Sequence, residues 1–340
     1  MVQSPVCRGE LHLARNLAVG LIGAMLLLAA CHSTGWEHPH GADHPLAGRI
    51  VDVARQELVD QPTLLARLAD ADIVLLGETH GNRDHHRLQA EIVRALGPRV
   101  SGVVFEMIDT GQQAAVVVHL QEQPGDTPGL GAALAWDSSG WPDWSLYEPI
   151  AAAAVAVDAE IVAGNLSRDA VDRLMAEGPT AALDPGLVAR SGLGEPLDPA
   201  LEGGIVATIE AAHCGFAPAE LLPAMLDVQR SRDALMADRL VAIKGRGQSV
   251  LIAGSEHVRR DWGAPYYLAR LAPEADVVTV ALREVGERLT ALPVEQPYDY
   301  VWFTPRRQPI GFDPCDAYRN QLERLDAGLP PVASAGPSKG

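Results

Sequence analysis

The 340-residue sequence predicts an α/β fold, a mainly parallel sheet flanked by helices, with helical insertions covering the carboxyl ends of the strands. Three observations lead there. Short continuous apolar runs recur along the chain, each followed by polar or glycine residues, as strands buried on both faces require. Between them lie apolar residues at helical spacing, and strand–helix–strand alternation implies parallel pairing. The chain is 47% hydrophobic but only 5% aromatic. Its core must therefore be built from small aliphatic side chains, which suits helices packed on a sheet.

The first element is not part of the fold. Arg8 and Arg15 precede an apolar run from Leu17 to Ala30, too short for a comfortable membrane span. It ends in Leu28-Ala29-Ala30-Cys31, which resembles a bacterial lipobox. Residues 1–30 then read as a signal peptide, and Cys31 as the lipidated first residue of the mature protein. Residues 31–45 carry His32, His38, His40 and His44 in a turn-rich stretch, a solvated tether by default and a weak divalent-metal binder as the alternative.

The body spans residues 46–310. Arg49–Val53 suggests an outer strand, followed by a helix around Thr63 to Leu68. Ile73–Leu76 is the first buried strand, and Leu88, Ile92 and Leu96 place a helix behind it. Strands follow at Val103–Phe105, Ile161–Ala163, Val250–Ala253, Val277–Val280 and Tyr300–Phe303, with a long helix over Leu226 to Val241. Two segments, near 110–150 and 167–235, break this rhythm and read as mostly helical insertions over one end of the sheet. Residues 311–340 form a tail, expected to be partly disordered.

The formal charge of −17 excludes a broad basic face for nucleic acid, because phosphate binding needs clustered Lys and Arg. An acidic ligand must instead find a local Arg. Of the four cysteines only Cys214 and Cys315 follow the lipobox; they either pair, for roughly 3–5 kcal/mol in the chain-entropy model, or stay as two thiols. Gly-x-Ser-x-Gly, Walker, Cys-x-x-Cys and His-Glu-x-x-His motifs are absent from the sequence, which removes the usual support for serine hydrolase, phosphate-loop, thiol-redox and zincin readings.

In an open parallel sheet, ligands collect beyond the carboxyl ends of the strands. There the chain places Gly77-Glu78-Thr79-His80, Glu106, Asn165 and Gly254-Ser255-Glu256-His257. Glu78 and Glu106 on neighbouring strand ends would raise each other's pKa unless a cation lies between them. Two solutions stand open: a divalent metal held by Glu78, His80, Glu106 and His257, or a metal-free acid/base site neutralised by His and Arg. His85 and His86 fall in the first turn of the next helix, capped by Asn82 or Asp84, and helical geometry alone does not decide which faces the pocket. Arg83, Arg168, Arg259 and Arg260 lie just past the same strand ends, natural partners for carboxylates such as propionates.

The blocks Ile73 to His80 with His85, His86 and Gln89, then Gly102 to Met107, Trp144 to Pro149, Ile161 to Leu166, Ala253 to Val258 and Tyr298 to Phe303 resemble the ChaN-like haem-binding lipoprotein family. That family is related to the Tiki/TraB metalloproteases and the erythromycin esterases. The resemblance implies an α/β fold and a role in haem uptake or storage, with haem held through tyrosine at a homodimer interface. Tyr147 is the first candidate ligand, Tyr266 and Tyr267 come next, and His85, Arg259 and Arg260 are candidates for holding the rest of the haem. Ser255-Glu256 stands where the family pattern leads one to expect Gly-Asn, which adds a third carboxylate. The expectation is a binding protein, not an enzyme, tethered to the outer membrane and facing the periplasm, with a haem receptor or shuttle as partner. The alternative is a hydrolase or protease centred on Glu78, His80, Glu106 and His257.

Overall fold

The computed structural model describes residues 35–286 and 296–316 with Arg319, Asn320 and Glu323. The expected signal segment, Cys31 and most of the tail lie outside the described residues. The chain divides into two compact units, residues 1–37 and 38–340. The sheet, its helices and the pocket all belong to the second.

Eight strands form one sheet: β1 (Ile50–Asp52), β2 (Glu57–Val59), β3 (Ile73–Glu78), β4 (Val100–Asp109), β5 (Glu160–Asn165), β6 (Gln248–Gly254), β7 (Val277–Glu284) and β8 (Tyr300–Thr304). Their order is β2-β1-β8-β7-β3-β6-β4-β5. All neighbours from β8 to β5 pair parallel, and only β1 pairs antiparallel, with β2 and β8. Strands β3 and β6 are buried at every position, which is why their sequences read as unbroken apolar runs. The sequence gives no such signal for β2, because Glu57 and Leu58 are exposed and Val59 only half-buried.

The helices are α1 (Gln61–Asp70), α2 (Arg83–Leu96), α3 (Gln113–Glu122), α4 (Thr127–Ala133), α5 (Trp144–Ala156), α6 (Arg168–Glu177), α7 (Pro179–Ala182), α8 (Pro185–Ser191), α9 (Pro199–Ala212), α10 (Leu222–Lys244) and α11 (Ala264–Leu271). Both long inter-strand segments are indeed helical. Helix α2 starts at Asn82, whose side chain accepts from His85 N–H, and ends at Gly97 with φ +64°. It buries one face against α5. On the opposite side of the sheet Ala234, Ala237 and Leu240 of α10 and Tyr267 and Leu268 of α11 pack with Leu75, Val104 and Leu251. Alanines let the long helix lie close to the strands, as the aromatic-poor composition requires.

Cys214, just after α9, is disulfide-bonded to Cys315. The link closes a loop of 101 residues in sequence and fixes the C-terminal segment to the end of α9. Among the described residues no helix is long and apolar enough to cross a membrane.

Candidate functional site

Strands β3 and β6 end together while the adjacent β4 runs on to Asp109, and their register decides what meets. Glu78 lies beside Gly254, and Phe105 beside Ile252, so Glu106 comes level with the end of β6. The turn after β6, Ser255–Val258, carries His257 back over these ends. Gly254 leaves room for the His80 ring: a Cβ would sit 2.9 Å from His80 Nε2 and 3.6 Å from Glu106 Oε2.

The result is a buried chain of acids and imidazoles. Glu78 Oε1 receives His80 Nδ1 at 2.8 Å, and its Oε2 lies 2.6 Å from His86 Nδ1. Glu106 Oε2 accepts the Gly254 N–H at 2.7 Å, with His80 Nε2 3.9 Å away. Its Oε1 lies 3.2 Å from His257 Nε2, whose Nδ1 meets Asp233 Oδ1 at 2.7 Å. Gln229, one turn earlier on α10, donates to the other Asp233 oxygen. Imidazoles therefore lie against both carboxylates of the Glu78–Glu106 pair.

These contacts set the charges. Burial pushes both glutamates up, but His86 and His80 hold Glu78, and His257 with His80 holds Glu106, well below the usual carboxylate range. Burial acts against the charged form of His257 as well, yet Glu106 and Asp233 on its two nitrogens outweigh it and keep the ring protonated. Asp233 is pushed up by burial, with His257 pulling the other way. His80 is likewise raised, Glu78 and Glu106 overcoming its burial. It is the member of the network that reaches solvent, with 34% of its side chain exposed, and its ring meets Trp141 edge-on at 5.0 Å.

A cavity of about 590 Å³ opens over this network. Glu78, His80, Gly254 and His257 form its floor; Ile205, Ile209 and Ala212 of α9, with His213 and Trp262, form an apolar wall; Arg283 and Glu256 stand at its sides. Among the described residues, no group of three or more His, Cys, Asp and Glu is arranged to hold a metal ion.

The other named residues lie elsewhere. His85 is fully buried, its Nδ1 accepting from Thr79 N–H at 2.9 Å and its Nε2–H donating to Thr304 Oγ1 at 2.8 Å, and burial lowers its pKa to about 3. It is a neutral strut between β3 and β8, whereas His86 is the histidine that faces Glu78. Tyr147 is buried against His86, ring centroids 4.5 Å apart, and burial together with Glu78 and Glu106 raises its pKa. Tyr267 is buried under α10, its hydroxyl accepting from Arg230 Nε. Tyr266 is 40% exposed and lines a smaller hollow with Arg230 and Arg270. Arg259 stacks on Trp262 at 3.4 Å and pairs with Asp261, and Arg260 pairs with Asp299. Asn165 caps its own chain at Leu166 and stays outside the pocket.

Sequence reasoning missed Asp233 and Gln229. Both lie inside a helix assigned to the core by Leu235, Met236 and Leu240. The polar i, i+4 pair gave no distinct signal, because Asp227, Arg230, Arg232, Asp238 and Arg239 make the same helix polar elsewhere.

A family model described as haem-binding uptake, Tiki superfamily, ChaN, matches residues 64–268. The chain belongs to that family. The ChaN family match spans β3 through α11 and so contains the whole floor of the pocket. Among solved structures the chain is similar to ChaN of Campylobacter jejuni, described with cofacial haem binding, at 23% identity and a TM-score of 0.57, over 74% of this chain and 95% of that one. It is also similar to the type III effector HopBA1, at 14% identity and a TM-score of 0.40 over 72% and 93% of the two chains. An erythromycin esterase EreC mutant in its open conformation follows at 16% identity and 0.37, over 86% and 87%. The curated proteins contain no match.

Proposed function

We propose that this member of the ChaN family binds haem in the pocket above Glu78 and Glu106 and serves haem or iron uptake or storage at the cell envelope. The observation that carries the reading is the two-sided pocket. An apolar wall of Ile205, Ile209, Ala212 and Trp262 suits a macrocycle, the imidazoles suit iron, and Arg283 suits a propionate. The volume of about 590 Å³ falls within the range of small-molecule and cofactor sites, about 300–1,000 Å³. Bound haem would supply the iron that is taken up. The chain's own part is to bury the macrocycle and exclude water from it. The lipid anchor at Cys31 would hold the protein at the outer membrane, facing the periplasm and close to a receptor or shuttle.

Ligation by tyrosine across a homodimer is the finer form of this reading. Of the three named tyrosines Tyr266 alone is exposed, so a tyrosine ligand reached from a second copy falls to Tyr266. Titration of the full chain with ferric haem tests the proposal: saturation at a fixed stoichiometry with a protein-specific absorption band is expected, and the absence of stoichiometric binding rejects it.

The convergence of Glu78, His80, Glu106 and His257 favours a second reading, a hydrolase or protease on the same floor. Its protons would have to move through His80, since His257 is held protonated between Glu106 and Asp233. Metal analysis, with turnover of ester and peptide panels before and after His80→Ala, tests it; no turnover in either protein rejects it.

A further inference from the structure

We propose that Phe216, Ile310 and Phe312, beside the mouth of the pocket, form a surface that docks on a phospholipid bilayer, an inference that rests on the lipid anchor at Cys31. The three side chains are 43%, 59% and 47% exposed. Phe216 lies two residues after Cys214, and Phe312 three before Cys315. The disulfide holds the Cα atoms of those cysteines 5.5 Å apart, so the two phenylalanines belong to chain segments fastened at one point. Phe216 N–H donates to the carbonyl of His213, which lines the pocket. Apolar side chains exposed singly are ordinary, whereas a group of them rimmed by polar residues marks a site of interaction. The rim here is Arg307, Asp313 and Asp316, all exposed.

The path of the N-terminal segment identifies the occupant. His38 N–H donates to Asp84 Oδ2 at 3.1 Å, and its ring meets the Arg83 N–H at 3.1 Å. The His40 carbonyl accepts the Arg306 N–H at 2.7 Å. Arg83 and Asp84 follow β3 and Arg306 follows β8, and these strands run in the same direction through β7. The segment that leads from Cys31 is therefore fastened at the carboxyl ends of the strands, where the pocket opens, and four residues before Ile310. Seven peptide steps separate Cys31 from His38, a length of chain that spans at most about 25 Å. A bilayer that holds the anchor lies no farther than this from His38.

The chemistry of the patch suits a lipid surface. A chain with a formal charge of −17 gains little from anionic headgroups, so contact must come from burial of apolar side chains at the boundary of headgroups and acyl chains. Ile205, Ile209 and Ala212 of α9 form the apolar wall of the pocket, and Phe216 comes four residues after Ala212. Wall and patch are thus consecutive along the chain, and docking would open the pocket beside the bilayer, where an amphiphilic ligand collects.

The test uses the mature protein, lipidated at Cys31, on phosphatidylcholine vesicles. With Cys7 removed, Cys31 acylated and Cys214 bonded to Cys315, Ile310→Cys or Phe312→Cys supplies the single free thiol for a nitroxide label. Ala242→Cys, at an exposed position of α10 close to the amino end of β6, serves as the control. Unchanged circular dichroism and an intact disulfide would show that the variants are folded. The ratio of collisions with oxygen to collisions with a water-soluble nickel chelate should be several-fold higher at 310 and 312 than at 242. Ratios at 310 and 312 equal to the control's overturn the docking surface while leaving the anchor in place. Spin–spin broadening at 310 or 312 that disappears on dilution with unlabelled protein gives the patch to a second copy and also overturns it. A mature protein whose mass shows no acyl chains on Cys31 removes the underlying anchor instead.

Discussion

At the floor of the pocket the charged side chains answer one another: Glu78 with His80 and His86, Glu106 with His257 and the Gly254 amide, and His257 with Asp233. The wall facing it is apolar, made by one helix of an insertion and closed by a single imidazole and a tryptophan. The floor stands on three adjacent parallel strands and is almost wholly buried; the wall belongs to α9, which buries only Ile205 and Ile209. A satisfied buried network contributes to the uniqueness of the fold and resists change, whereas a sparsely buried wall can vary with the ligand. Stability should therefore reside in the floor and recognition in the wall.

The sharpest way to break this contrast is Glu106→Gln. It leaves the His257 cation facing Asp233 alone, and removal of one partner from a buried pair costs about 3–5 kcal/mol. Urea denaturation should show a loss of that size. A loss below about 1 kcal/mol would mean that the floor is not what holds this end of the sheet.

The pH dependence sharpens the same point. Glu78 and Glu106 are depressed in the fold, so their stabilisation is complete above about pH 4.5 and is lost as pH falls through their folded values. His257 is raised, so its share is complete below about pH 6.5 and is lost as pH rises through its folded value. Asp233, raised by burial, gives back part of this as it ionises above about pH 3.9. Denaturation across pH should show a broad maximum in mildly acidic solution, with the acid limb flattened in Glu106→Gln.

Next in size is the disulfide. Cys214→Ser with Cys315→Ser should cost about 2–4 kcal/mol in thermal or urea unfolding, and should also weaken haem binding, because the bond holds the turn that follows the wall helix. A full loss of stability with no change in haem affinity would separate the wall from its anchor.

Gly77→Ala is expected to cost about 1–3 kcal/mol, since its Cβ would collide with Val258 Cγ2 and come within 3.0 Å of the Ser255 backbone. The smallest effect belongs to the pocket side: Arg283 is exposed, so Arg283→Gln should leave stability within about 0.5 kcal/mol while weakening haem binding several-fold. If Arg283→Gln destabilises the protein as much as Gly77→Ala, recognition and stability are not divided as argued.

Much of the floor was legible in the primary structure. Ile73–Leu76, Val250–Ala253 and Val103–Phe105 are continuous apolar runs because their strands are covered on both faces, and Glu78, Glu106 and His257 lie where those runs stop. Asp233 was not legible, since a polar residue on a core helix is explained only by the buried group it meets. Nor was the separate fate of His85 and His86: successive residues on a helix point about 100° apart, and what lies in each direction is set by strands more than a hundred residues away for Thr304 and by the preceding strand for Glu78. Asn165, at an equally clear strand end, fell outside because β5 is the edge strand beyond β4.

Local chemistry thus fixed the elements: continuous apolar runs gave the buried strands, apolar residues at helical spacing the helices, and the ends of the strands the supply of acids and imidazoles. Which of those groups share a hollow depended on strand order and register, and which nitrogen of each ring is occupied depended on neighbours distant in the chain. Those are long-range pairings, chosen by the packing of the whole sheet and its insertions, and no window of sequence contains both partners.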